Sequence, residues 1–105
     1  MILYEVNLRV KVSRAEEFTL WLKQHIQQML QVEGFVSAEL LEQEEEEEEA
    51  PPTQRQLVVH YRLKSLDHLH SYLQNQAPQM RQEGLDLFGS DFSATRRVLL
   101  PKDLP

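Results

Sequence analysis

The strongest constraint in this chain is a change of period near its start. In ILYEVNLRVKV, Tyr4, Val6, Leu8, Val10 and Val12 alternate with Glu5, Asn7, Arg9 and Lys11, which is the pattern of a half-buried strand. Beyond Ser13 the spacing becomes helical: Phe18, Trp21, Leu22, His25, Ile26, Met29 and Leu30 fall on one stripe, ending before Gly34. Ser13 and Glu16 have capping-box spacing and predict the helix start there. Such a stripe needs a sheet to cover.

The rest of the chain supplies that sheet. FVSAELLE predicts a second strand and RQLVVHYRLK a third, in which Leu57, Val59, Tyr61 and Leu63 oppose Val58, His60 and Arg62. Ser65 can cap a helix with Leu66, Leu69, Tyr72 and Leu73 as its buried stripe. Pro78 breaks that helix and can open another, along which Ala77, Met80, Gly84, Leu87 and Phe88 line one side before Gly89. FSATRRVLL predicts the fourth strand, closed by Pro101.

The order strand, helix, strand, strand, helix, strand is the split βαβ arrangement, so the expected fold class is α+β: a ferredoxin-like, four-stranded antiparallel sheet. Right-handed crossovers put the helices on one face. The open face is then expected to carry Glu5, Asn7, Arg9, Glu39, His60 and Arg62, with one of Arg96 and Arg97, and to meet water or a second copy of the chain. With 105 residues there is room for one domain.

The net charge of −6 is local. Glu42 and Glu44 to Glu49 account for seven of seventeen acids, leaving ten acids against eleven bases. Their mutual repulsion, followed by Pro51 and Pro52, predicts a disordered, solvated hairpin connection over residues 43–53. Consecutive glutamates on a flexible chain offer a cation no fixed geometry. There is no cysteine, which removes disulfides, thiolate zinc sites and a cysteine nucleophile. The charged, alternating N-terminus is unlike a signal peptide, and no apolar run is long enough to cross a membrane, so the expectation is a cytoplasmic protein.

MILYEVNL, LVVHYRL, APQMRQEGL and FSATRRVL, four segments in order, together resemble a family of short, mainly bacterial proteins known only as a domain of unknown function. The resemblance spans nearly the whole chain except the glutamate run. It implies a subunit of the dimeric α+β barrel type, in which two sheets pack face to face, and therefore a homodimer. It implies no reaction and no catalytic residues, because that superfamily hosts unrelated chemistries.

Few residues offer chemistry. His25, four positions from Trp21, is expected between helix and sheet near Tyr4 and Tyr61, and these four form the candidate ligand pocket. The plainer reading is a core histidine bonded to a tyrosine or a backbone carbonyl; the functional one is a proton donor or acceptor. Glu5, Asn7, Arg9, His60 and Arg62 form a candidate polar network on the open face, where cross-strand pairing at a dimer interface is the simpler role. His68 and His70, two apart on a helix, cannot share a metal. No metal and no cofactor is expected, since no ligand cluster, phosphate-binding glycine loop or dinucleotide fingerprint is present. Arg96 and Arg97 alternate across the last strand, so one leans toward the helices, where it would reach out at the rim or bind an acid such as a ligand carboxylate, and one toward the open face; the plainer reading, a salt bridge to Glu5 or Glu39, is preferred. RNA binding is disfavoured, because the open face of the two central strands has no Phe, Tyr or Trp for bases to stack on. Two classes stay open: a dimer that binds or transforms a small organic ligand, and a noncatalytic dimeric interaction or regulatory module.

Overall fold

In a computed structural model, residues 1–44 and 52–104 are described. The strands are β1 (Ile2–Lys11), β2 (Phe35–Glu42), β3 (Gln54–Leu63) and β4 (Phe92–Leu99); the helices are α1 (Ala15–Met29), α2 (Leu66–Asn75) and α3 (Ala77–Phe88). The sheet order is β2-β3-β1-β4 with every neighbouring pair antiparallel, the ferredoxin-like α+β arrangement expected from the period changes.

Register explains how the two faces are divided. Tyr4 stands opposite Tyr61 and Val98, Val6 opposite Val59 and Arg96, and Leu8 opposite Leu57 and Ala94. This face packs under the helices, where α1 buries Phe18, Leu22, Ile26 and Met29 at helical spacing. Two groups of aromatic rings hold the layers together. Phe18 of α1 meets Phe88 of α3 edge-on at 5.0 Å and Phe92 of β4 at 5.1 Å, while Phe35 meets Tyr61 at 5.5 Å and Tyr72 at 5.2 Å.

Some local expectations are corrected. Ser13 does not cap α1: the chain first makes a 3-10 turn over Val12–Arg14 and Arg14 is the N-cap residue, with no side-chain cap bond. The turn is held from outside instead. Val12 N–H donates to the Thr53 carbonyl, and Arg14 binds Asp91 at 2.7 Å and Glu17 at 2.9 Å. Val12 consequently leaves the alternation and is 40 % exposed. Leu87, expected on the buried side of α3, is 57 % exposed, because its neighbour Phe88 takes the inward position about 100° around the helix. Ser65 does cap α2, accepting from His68 N–H.

Of the expected loop over residues 43–53, residues 45–51 lie outside the described ones. At its edges pairing continues, since Gln43 N–H donates to the Gln56 carbonyl at 2.9 Å. Gly34 turns the chain into β2 at φ +92°, against the side chain of His68. Among the described residues no helix is long and apolar enough to cross a membrane.

Candidate functional site

Between the two aromatic groups the layers leave a cavity of about 50 Å³. Its walls include Tyr4 and Tyr61 from the central strands, Trp21 and His25 from α1, and Arg81 and Arg96 from α3 and β4. The four residues singled out from the sequence therefore line one space. Their convergence follows from period: Tyr4 and Tyr61 share a face because they pair directly across β1 and β3, and Trp21 and His25 share a helix stripe because they are four apart. Gly84 of α3 admits the indole, since a Cβ there would come within 3.0 Å of Trp21.

His25 has an unusual environment. Its ring stacks on Trp21 with centroids 4.8 Å apart and planes 18° from parallel. Nδ1 is sealed from solvent and, among the described residues, has no hydrogen-bond partner, neither tyrosine nor carbonyl. Burial, reinforced by the nearby Arg96 charge, pushes the imidazole down to about 4, so it is neutral at pH 7. Burial also raises the Tyr61 phenol well above its ordinary value and the Tyr72 phenol to about 12, keeping both protonated.

Two residues of the site were not singled out from the sequence. Arg96 was left undecided against Arg97, and register resolves it: Arg96 lies opposite Val6 on the helix side and Arg97 opposite Glu5 on the open side. Burial pushes the Arg96 guanidinium below its ordinary value; the like charge of Arg81 acts in the same direction and the neighbouring Tyr4 hydroxyl opposes it. Arg81 donates to Tyr4 Oη at 3.3 Å. The only signal for Arg81 is its place next to Met80 at the margin of the α3 stripe.

On the open face, Glu5 is 6 % exposed although no helix covers it. Arg97 Nε donates to Oε1 at 2.7 Å, Asn7 Nδ2 donates to Oε1 at 2.9 Å, and His60 Nε2 lies 2.9 Å from Oε2. Chiefly through Arg97, with Asn7 and His60 assisting, the carboxyl is pulled down to about 2. Of the candidate network, Glu5, Asn7 and His60 are thus joined and Arg97 completes them. Arg9 and Arg62 make no side-chain hydrogen bond or ion pair among the described residues. Leu3 with Leu99, and Leu41 with Val58, stand as cross-strand apolar pairs on the same face.

Among the described residues no three His, Asp or Glu side chains converge as metal ligands. His68 is bonded to Ser65, its Nδ1 2.6 Å from Oγ.

Comparison with solved structures shows the fold. The chain resembles a putative antibiotic biosynthesis monooxygenase from Deinococcus radiodurans at a TM-score of 0.65 and 14 % identity, covering 100 % of this chain and 97 % of that one. It resembles SnoaB, a cofactor-independent oxygenase from Streptomyces nogalater, at a TM-score of 0.70 and 13 % identity, covering 98 % and 95 %. It also resembles the de novo designed protein Foldit4 at a TM-score of 0.59 and 9 % identity, covering 96 % and 98 %. The architecture these proteins share is the ferredoxin-like α+β fold, and its occurrence in a designed protein separates fold from activity. No curated protein matches the sequence. Residues 1–101 match one family along almost the whole chain, so the protein belongs to the family described as Domain of unknown function (DUF4286).

Proposed function

We propose that this protein is a homodimer that binds a small organic molecule in the cavity beside His25, with the neutral imidazole as the group that hydrogen-bonds it and can accept its proton. The observation carrying this reading is the unpartnered Nδ1. An unpaired buried polar atom costs about 1–3 kcal/mol, and a ligand group at hydrogen-bonding distance would recover it. Tyr4, Trp21 and Tyr61 supply the apolar and aromatic walls typical of small-molecule sites.

The size of the space limits the ligand. Benzene occupies an engineered cavity of about 150 Å³, three times the volume available here, which favours a body of a few heavy atoms over a ring system. Two proteins of the same fold are described as a putative monooxygenase and a cofactor-independent oxygenase, which fits a role in transforming as well as binding a small molecule.

The dimer is proposed through the open sheet face. Its support is a desolvated, fully paired carboxylate at the centre of that face with apolar cross-strand pairs around it. A noncatalytic interaction module would use the same face but has no need of an unpaired nitrogen beside a cavity.

The deciding measurement is an NMR titration of the protein with acids, amides and alcohols of up to about six heavy atoms, following the His25 ring signals. A ligand that shifts those signals and raises the melting temperature by mass action is expected, with both effects lost in His25→Phe. If no compound perturbs His25 while the fold is intact, the binding reading is overturned.

A further inference from the structure

We propose that the mouth of the cavity is an oxyanion site: the ligand is a short-chain organic oxyanion, a carboxylate or a phosphate monoester, held between Arg81 and Arg96 with its carbon chain directed inward past Tyr4 toward His25. This rests on the reading of the cavity as a ligand site and adds the ligand's charge and chemical class.

Three arginines outside the cavity already have acids. Arg14 has Asp91 and Glu17, Arg55 has Glu42, and Arg97 has Glu5. Arg81 and Arg96, the two that line the cavity, have no carboxylate within ion-pair distance among the described residues. They come from different elements, α3 and β4, and are close enough for the charge of one to disfavour the charge of the other. Two like charges brought together at the rim of an apolar space are unfavourable unless an anion joins them. The Tyr4 hydroxyl, already accepting from Arg81, stands at the same place and can donate its own proton to an anionic oxygen.

Geometry then sets the polarity of the ligand. Its charged end belongs at the exposed rim, where guanidinium groups offer forked donors suited to carboxylate and phosphate oxygens. Its apolar end belongs inside, against Trp21 and the tyrosines, where about 50 Å³ admits only a short chain. A neutral imidazole at the inner end is compatible with a hydroxyl or carbonyl carried on that chain.

The test compares propionate, ethyl phosphate and propionamide as probes on the intact protein by NMR, following the arginine Nε–H and His25 ring signals. Propionate or ethyl phosphate is expected to bind at least about tenfold tighter than propionamide, as charge-assisted hydrogen bonds imply. Whichever of the two binds tighter identifies the oxyanion. Arg81→Gln and Arg96→Gln should each reduce that preference. Equal binding of acid and amide, or a preference that survives both substitutions, overturns the oxyanion site and leaves the cavity reading standing. Failure of all three probes to perturb the His25 signals overturns both. The acid-to-amide comparison on the unsubstituted protein decides the matter even if a variant fails to fold.

Discussion

Arg97 Nε donates to Glu5 Oε1 at 2.7 Å across the β1–β4 pair, on the face of the sheet that no helix covers. The consequence is a defined acid sensitivity. A carboxyl at about 2 in the folded state, against an ordinary 4.5, contributes stability that is complete above pH 4.5 and is lost as pH falls toward 2. Glu5→Gln should cost about 2 kcal/mol at pH 7, the scale of hydrogen bonds to a charged group, and should flatten urea-unfolding stability between pH 4.5 and 2. An unchanged acid limb would show that the network carries no stability.

His25 has a separate window. Its folded value of about 4 lies below the ordinary 6.5, so the unfolded chain takes up a proton first and stability falls as pH drops from 6.5 toward 4, by at most about 3 kcal/mol. The charged or titratable groups near it are Arg96 from β4, Arg81 from α3, and Tyr4, Tyr61 and Tyr72, of which burial keeps the Tyr61 and Tyr72 phenols protonated throughout this range. His25→Phe should abolish the limb and leave stability at pH 7 equal or higher, since an unpaired buried nitrogen is removed beside a space that can take the larger ring. Melting temperatures of the two proteins across pH 7 to 4 check both points.

Gly34 should not tolerate a side chain. At φ +92° an L-residue is strained, and a Cβ would run into the His68 ring, which Ser65 holds in place. Gly34→Ala is expected to lower stability by about 2 kcal/mol or more. Adding His68→Ala should recover the steric part and leave the backbone part, which a double-mutant cycle in urea separates.

Arg62→Glu puts an acid on the open face diagonal to Glu39, without touching the cavity. If the open face is the dimer interface, the like charges should weaken association with the monomer fold intact, read as a rise in dimer dissociation constant by sedimentation. A monomer mass for the unsubstituted protein at micromolar concentration by light scattering would remove the dimer itself.

Deleting residues 44–50 leaves five residues between Gln43 and Gln56, a length that closes a hairpin, and both ends of that connection already pair in the sheet. Stability within about 0.5 kcal/mol of the full chain is expected by urea titration. A collapse on deletion would assign the glutamates a structural role.

β1, β3 and the α1 stripe were legible in the sequence because burial on one side imposes a period, and a period can be read without coordinates. That placed Tyr4, Trp21, His25 and Tyr61 along one space. Arg81 was not legible, since a residue at the margin of a helix stripe reaches inward or outward according to what it meets. Choosing between Arg96 and Arg97 needed the register of β4, where the flanking Phe92, Ala94, Val98 and Leu99 are apolar on both parities. The Ser13 cap failed because Thr53 and Asp91 hold the chain entering α1, a long-range effect invisible to local spacing. The missing partner of His25 Nδ1 is a statement about every atom around it, and no pattern along the chain encodes that.

Arg96 and Arg97 are consecutive, yet one belongs to the cavity and the other to Glu5. Inserting a single residue between Gly89 and Arg96 would put Arg96 opposite Glu5 and Thr95 opposite Val6, taking the cation from the cavity, whereas deleting one would put Arg97 opposite Val6 and Val98 opposite Glu5, taking it from the carboxylate. The length of that short segment is therefore as much a part of the protein's chemistry as the identity of either arginine, and the direction of a change in it would select which of the two places loses its charge.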